Sequence, residues 1–365
     1  MPVLEKIVVQ DFRNIALQEL SFSPNINCIT GGNGQGKTNL CDAVWYLSMT
    51  KSSSGAPDRY NFRHGTRGLS IAGTYLMESG LKSTFSIQVG EDGEKRLRRD
   101  DKPYRRISSH IGELPVVMVS PADISLVSEA GEERRRFVNA FISQIDGEYL
   151  SASQQYSRLL QQRNRLLKDG EADPMLLDSF DARLGAYAAV ISERRREFIG
   201  ETAPVVAEYY ERISGGREKV SIGYSSDLDK GRLEDILRDR RERDLALGFT
   251  GAGVQRDEFP FTMDGYSIRK CGSQGQQKSF LVALKFAQYE VMKRRYGFAP
   301  TLLLDDLFDK LDRERVANLL RMVSGQDFGQ IFLSDTSRER LEGIIEDLTA
   351  DRAYFEAVDG TFTRL

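Results

Sequence analysis

Short apolar-rich runs at residues 4–9 and 15–22 predict strands, and an unbroken apolar run at residues 26–30 predicts a compact strand that leads straight into a glycine-rich loop. A helical pattern over residues 39–49 and a polar stretch at 51–67 follow. Alternating runs at 70–76, 83–89 and 95–99 then predict an antiparallel meander, and the β-branched run at 116–119 ends at Pro121. From Glu132 the period changes to helical for about 80 residues. Leu159, Leu160, Leu166 and Leu167 mark one helix. Leu176, Leu177, Phe180, Leu184, Ala188, Ile191 and Ile199 mark a second, with Gly170 and Asp173-Pro174 as the break between them. This stripe reads as a helical hairpin packed on itself, with a partner-binding face as the other option. Gly215-Gly216 closes it, a strand is expected at 220–224, and α/β alternation resumes to the end of the chain. The organisation expected is an α/β head of residues 1–119 and 217–365, with a helical arm of residues 120–216 inserted into it.

Three segments carry the chemistry. Gly31-Gly32-Asn33-Gly34-Gln35-Gly36-Lys37-Thr38 fits G-x-x-x-x-G-K-[ST] between a strand and a helix, the setting in which backbone N–H groups wrap phosphate oxygens and the helix N-terminus faces the same anion. Lys37 is placed to reach the β and γ phosphates of ATP, and the Thr38 hydroxyl to ligate Mg²⁺. Leu302-Leu303-Leu304 reads as a buried parallel strand ending in Asp305 and Asp306. The first carboxylate is expected to hold Mg²⁺ and the second to orient the attacking water. Asp306 is one methylene shorter than the Glu often found there, which predicts slow turnover. Ser273-Gln274-Gly275-Gln276-Gln277-Lys278 opens a long helical pattern, with Ser273 as N-cap and Gly275 allowing close backbone approach. It reads either as an ordinary capped helix or as a second phosphate-gripping surface that meets a nucleotide held by another subunit.

Composition narrows the class. The 40% hydrophobic content of the 365 residues suits a globular protein of about two domains. Cys28, Cys41 and Cys271 are isolated and odd in number, which argues against disulfides and zinc and reads as core packing. His64 and His110 have no metal-ligand spacing and read as surface residues, so nuclease chemistry has little support. The N-terminus has no targeting pattern and no apolar run is long enough to span a bilayer, so a cytoplasmic location is expected. With a net charge of −3, nucleic acid would have to be met by local basic patches. The densest comprises Lys95, Arg96, Arg98, Arg99, Lys102, Arg105 and Arg106, with Tyr104 available for stacking. It is a candidate phosphate track or simply a solvated face. Arg238, Arg240, Arg241 and Arg243 alternate with acids and read as a salt-bridged helix.

These motifs, in order with Asp11-Phe12-Arg13-Asn14, Pro121-Ala122-Asp123-Ile124, Arg134-Arg135-Arg136-Phe137 and Arg256-Asp257, closely resemble the RecF family of bacterial recombination and repair proteins. That family is related to the SMC and Rad50 ATPase heads. The resemblance covers nearly the whole chain and implies a P-loop NTPase of ABC type, with a mixed sheet, an antiparallel β-subdomain and the inserted helical arm. It further implies a DNA-binding ATPase that uses ATP and Mg²⁺ and dimerises on ATP. Such a protein acts at single-strand gaps, duplex DNA or junctions with the mediator proteins RecR and RecO, and promotes loading of the RecA recombinase. On the family pattern Lys37 and Thr38 belong to Walker A, Asp305 and Asp306 to Walker B, and Ser273, Gly275, Gln276 and Lys278 to the trans signature. Asp312 belongs to the loop that meets the opposite subunit, and Arg13 either reaches the nucleotide phosphates or forms a surface ion pair. Gly253-Val254-Gln255-Arg256-Asp257-Glu258 lacks the Pro and His usual in this segment, and Arg256-Asp257 reads as a buried pair of structural or functional use. A transporter ATPase subunit and a nucleotide-switched scaffold are the competing classes. SMC and Rad50 proteins themselves are excluded by the lack of a long coiled coil and a CxxC hook.

Overall fold

The computed structural model describes residues 1–129, 131–169, 173–306, 328–345 and 351–365, which form two compact units. Residues 1–124 with 284–365 make the first, and residues 125–283 the second.

The first unit contains two sheets. One is antiparallel, in the order β2-β1-β4-β5-β6-β7, from β1 (Val3–Phe12), β2 (Ile15–Ser21), β4 (Gly68–Leu76), β5 (Lys82–Gly90), β6 (Lys95–Arg99) and β7 (Lys102–Pro103). The other runs β15-β14-β3-β13-β12-β8, from β3 (Ile26–Thr30), β8 (Val116–Val119), β12 (Thr301–Asp305), β13 (Ile331–Asp335), β14 (Arg352–Val358) and β15 (Thr361–Arg364). All its pairings are parallel except the terminal β14–β15 hairpin. Every residue of β3, β12, β13 and β8 is buried, as continuous apolar runs require in a sheet covered on both faces. Helix α1 (Lys37–Met49) packs on strands of both sheets, and Leu40, Cys41, Ala43, Val44, Tyr46 and Leu47 are all buried. It is therefore buried on almost every side, unlike a surface helix with one solvated face.

The second unit is built on α2 (Ser125–Ser128), α3 (Gly131–Ile145), α4 (Gly147–Asp169) and the 41-residue α5 (Pro174–Ser214). The carboxylate of Asp173 accepts the Met175 N–H and Pro174 occupies the first turn, so the expected helix break is a built N-terminus. Leu159, Leu167, Leu177, Leu184, Ala188 and Ile191 are buried in the unit, so the stripe is used for internal packing, while Leu176 is 42% exposed. Two arginines share that interior. Arg163 bonds Asp181 at 2.6 Å, Asp244 at 3.0 Å and the Thr250 hydroxyl at 2.8 Å, while Arg195 pairs with Asp257.

Residues 217–283 pack with this helical unit. They supply β9 (Val220–Ile222), α6 (Leu233–Asp239), α7 (Arg241–Leu247), β10 (Phe261–Met263), β11 (Tyr266–Ser267), α8 (Ile268–Cys271) and the start of α9 (Gln274–Tyr296). β9 stops two residues short of the expected strand. Its short sheet, β11-β10-β9, and α6 both pack on α5 or its neighbours rather than continuing the large sheets. Helix α10 (Arg338–Ile345) follows β13.

Candidate nucleotide site

The loop between β3 and α1 is shaped by backbone that only small residues tolerate. Gly36 adopts φ 108° as the N-cap of α1, and a Cβ there would meet Asn14 Oδ1 at 2.9 Å. Asn14 is thus the outer wall of the loop. Its Oδ1 accepts from Asn39 Nδ2 at 2.7 Å, tying the β1–β2 turn to the first turns of α1. Against Asn14 lies the β14–β15 turn, from which Gln35 accepts twice, through its carbonyl from Gly360 N–H at 2.9 Å and through Oε1 from Asp359 N–H at 2.6 Å. The Gln35 side chain braces the loop. Gly32, Asn33 and Gly34 are exposed at its tip, where their backbone can meet an anion.

Lys37 is buried, and its ammonium donates to the carbonyls of Gly31 at 2.8 Å and Gly32 at 3.1 Å. A cation folded into the mouth of its own loop suits the place where phosphate oxygens would compete for it. Thr38 is exposed, and its hydroxyl lies close enough to Asp305 to lower the pKa of that carboxyl. Asp305 is 1% exposed and also accepts from Ser334 Oγ at 2.6 Å. Burial raises its pKa, and the Ser334 and Thr38 hydroxyls together with Lys37 pull it back only partly. A desolvated carboxylate next to a threonine hydroxyl at a phosphate-binding loop is a donor set for a hard divalent cation. Thr38 and Asp305 would hold Mg²⁺ there, where it would supply positive charge to phosphate oxygens. The chemistry present therefore fits ATP·Mg²⁺.

Asp306 follows in a left-handed conformation, φ 48°, with its N–H donating to the carbonyl and the hydroxyl of Ser334 at 3.2 and 3.0 Å. Ser334 thus positions both acids, and nothing in the local sequence marked it. The parallel register of β12 and β13, Asp305 opposite Ser334, is what brings it there. Asp335 in turn accepts the Ser337 N–H at 2.7 Å ahead of α10.

Arg13, at φ 52°, is engaged from several sides. It pairs with buried Asp42 at 2.7 Å and donates to Asn39 at 3.0 Å, Ser52 at 2.9 Å and Asn61 at 3.3 Å. The ion pair it forms has a buried partner on α1, where a surface pair was expected. Asp42 also holds the Ser52 hydroxyl and Ser53 N–H, so one carboxylate fixes the whole turn after α1.

In the second unit Ser273 caps α9 as expected. Its Oγ accepts the Gln276 N–H at 3.3 Å while Gln276 Oε1 accepts the Ser273 N–H at 2.8 Å, a reciprocal capping box. Ser273 is exposed, and Gly275, Gln276 and Lys278 are half-buried along the first turns. The Gln276 amide is occupied internally, because its Nε2 donates to Glu218 at 2.8 Å. Asp312 lies outside the described residues.

Several other expectations change. Arg256 and Asp257 do not pair. Arg256 is exposed, whereas Asp257 is buried against Arg195 and accepts from the Tyr224 hydroxyl at 2.6 Å. The one-turn helix at Val254–Arg256 turns the two adjacent side chains apart. His110 is fully buried, with Nε2 2.6 Å from the Leu47 carbonyl, and burial lowers its pKa; His64 is exposed as expected. Cys271 is exposed, while Cys28 and Cys41 sit in the core.

Within the basic stretch Lys95 pairs with Asp58 at 2.9 Å, Arg96 with Glu94 at 2.7 Å and Arg99 with Glu113 at 2.8 Å. Glu113 also takes the Tyr104 hydroxyl. Arg98, Lys102, Arg105 and Arg106 are exposed and have no ion-pair partner among the described residues. Arg238 pairs with Asp235, and Arg241 reaches Asp178 and Asp181 on α5. Among the described residues no helix is long and apolar enough to cross a membrane.

Known proteins share this architecture. Residues 3–59 match the family described as RecF/RecN/SMC N terminal domain. The chain is 44% identical over 361 residues to the DNA replication and repair protein RecF of Porphyromonas gingivalis, covering 98% of this chain and 99% of that protein. It is 42% identical to RecF of Parabacteroides distasonis, covering 98% of each. A solved structure of the recombination mediator protein RecF-ATP in the RecFOR pathway superposes with a TM-score of 0.91 at 29% identity, over 100% of this chain and 98% of that one. An Smc head domain from Pyrococcus furiosus, with TM-score 0.59 and 13% identity over 100% of this chain and 96% of that one, shares the fold alone. A P-loop braced by Asn14 and the β14–β15 turn, a buried acidic strand end beside it and likeness along the entire chain lead to one conclusion: the chain belongs to the RecF family of DNA replication and repair proteins, with the fold of an ABC-type ATPase head.

Proposed function

We propose that this protein is an ATP-switched DNA-binding repair protein whose nucleotide site is completed by a second copy of the chain. The observation that carries the reading is a P-loop with Lys37 folded onto its own carbonyls beside a strand end whose Asp305 is buried and held by Ser334. The backbone of Gly31 to Thr38 would cradle the phosphates of ATP, with Lys37 leaving its loop carbonyls for phosphate oxygens. Thr38 and Asp305 would hold Mg²⁺, which when bound neutralises charge on the phosphate oxygens. Asp306, oriented by Ser334, would take the proton of the attacking water. Ser273 and Gly275 at the start of α9, with Lys278 and Asp312, would meet the nucleotide of the partner subunit. Gln276 supports that surface by capping Ser273. Arg13 acts through Asp42 to hold the turn beyond α1.

Hydrolysis is slow, because the short Asp306 side chain must reach a water that a longer one would approach more closely. Dimer closure is therefore the signal and hydrolysis its timer. DNA backbone is met by Arg98, Lys102, Arg105 and Arg106, the members of the basic stretch not paired with acids. In the cell the closed dimer works with RecR and RecO to load recombinase at single-strand gaps, a role supported by full-length likeness to RecF proteins and by the RecFOR pathway named for the solved relatives.

Steady-state ATPase and DNA-binding titrations test this reading. Turnover should stay below about 1 per second, vanish in Lys37→Met and Asp306→Asn, and persist in Ser334→Thr; tens per second would contradict the timer. Replacing Arg98, Lys102, Arg105 and Arg106 with Ala should weaken duplex binding at all sequences and flatten its salt dependence, while Arg96→Ala leaves the slope unchanged. An unaltered slope in the fourfold variant removes the track.

A further inference from the structure

We propose that Glu218 is the positioning residue of the Ser273 half-site: its carboxylate selects the orientation of the Gln276 amide that caps Ser273. The inference rests on the reading of Ser273 as the surface offered to a partner's nucleotide.

The cap is reciprocal, with Ser273 N–H donating to Gln276 Oε1 at 2.8 Å and Gln276 N–H donating to Ser273 Oγ at 3.3 Å. Rotating the amide by half a turn would set its NH₂ against the Ser273 N–H, donor against donor. What forbids the rotation is the far end of the amide, where Nε2 donates to Glu218 Oε1 at 2.8 Å. A carboxylate only accepts, so it admits the amide in one orientation alone.

Glu218 is itself held on both sides. Its other oxygen accepts from the Tyr210 hydroxyl at 3.4 Å, and Tyr210 is 1% exposed in the closing turns of α5. The next residue, Lys219, is locked to the β10–β11 turn by its N–H to Asp264 Oδ1 at 2.9 Å and by Asp264 N–H to its carbonyl at 2.8 Å. Glu218 therefore cannot follow a rotating amide.

The consequence falls on the serine proton. A hydroxyl has one donor and two acceptor positions. With one acceptor position of Ser273 taken by the Gln276 N–H, the hydroxyl proton is kept away from that position and can donate to an anionic oxygen arriving at this exposed turn. Glu218 touches no nucleotide in this scheme. It acts through Gln276, and its loss should disturb dimer closure while leaving nucleotide capture at Lys37 intact.

The experiment uses the full chain and two readouts: binding of a fluorescent ATP analogue, mant-ATP, to dilute protein, and the protein concentration at half-dimerisation in ATP by sedimentation. Glu218→Ala and Gln276→Glu should each raise that concentration roughly tenfold, the scale of losing one N-terminal cap, with mant-ATP affinity changed less than about twofold. Glu218→Gln keeps an acceptor oxygen but can equally present its NH₂, so it should fall between wild type and Glu218→Ala. The exchange variant Glu218→Gln/Gln276→Glu swaps donor for acceptor without changing shape and should recover most of the loss. Wild-type dimerisation in Glu218→Ala, or an exchange variant no better than Gln276→Glu alone, overturns the proposal. Ser273→Arg separates the two levels. If it dimerises normally, the signature reading falls and Glu218 with it; if it fails while Glu218→Ala is normal, only the role of Glu218 is lost.

Discussion

Asp305 is a carboxylate held where a charge is poorly solvated, and that discomfort is what a cation would relieve. Burial raises its pKa, so the folded chain without metal binds a proton more readily than the unfolded chain does. The sign follows directly: the folded state is favoured below the ordinary aspartate range and loses that advantage as pH rises through the raised value. In metal-free protein Asp305→Asn should therefore melt higher than wild type at pH 7.5, by roughly 2 °C, and the difference should shrink as pH falls toward about 4. A variant less stable than wild type at both pH values would contradict the desolvation account. Ser334→Ala should leave mant-ATP binding nearly unchanged but slow turnover roughly tenfold, the scale of about 1.4 kcal/mol in a barrier, because it releases both acids at once. Lys37, Thr38 and Asp305 were legible in the sequence because their chemistry is written in contiguous motifs. Ser334, Asp42 and Glu218 were not, since each becomes meaningful only through a partner that strand register or helix packing delivers from elsewhere in the chain.

At the scale of elements, the P-loop is held as much by the end of the chain as by its own strand. The β14–β15 turn donates two backbone N–H groups to Gln35, and Gly360 at φ 78° packs so tightly that a Cβ would run into the Asn14 carbonyl. Gly360→Ala should therefore weaken mant-ATP binding by about tenfold, although the residue lies outside the P-loop motif; equal binding would show that the brace is dispensable. In the helical unit, the strand and helix patterns and the Asp173-Pro174 start were readable from periodicity. The buried charges among the leucines were not, because a polar residue at a core spacing looks like an exposed one until its partners are known. Arg163→Met should cost about 3–5 kcal/mol by stranding Asp181 and Asp244, as judged by urea unfolding of the full chain. A loss under about 1 kcal/mol would mean the pair is replaceable at little cost.

The whole molecule consists of two units, and the proposed nucleotide chemistry is divided between them: the P-loop and acidic strand lie in the first, Ser273 in the second. The sequence placed residues 217–283 with the head on the strength of renewed α/β alternation. Their short strands instead pack with the helices, because β9 to β11 form a separate sheet of their own. Strand alternation reports that a segment is β, and says little about which sheet it joins. The central claim is that ATP makes two chains close on each other's nucleotide. Light scattering of wild type, Lys37→Met and Ser273→Arg in ATP and in ADP tests it most directly. Wild type should double its mass in ATP and remain monomeric in ADP, and both variants should remain monomeric in either. A Ser273→Arg protein that dimerises and hydrolyses ATP like wild type would contradict the account.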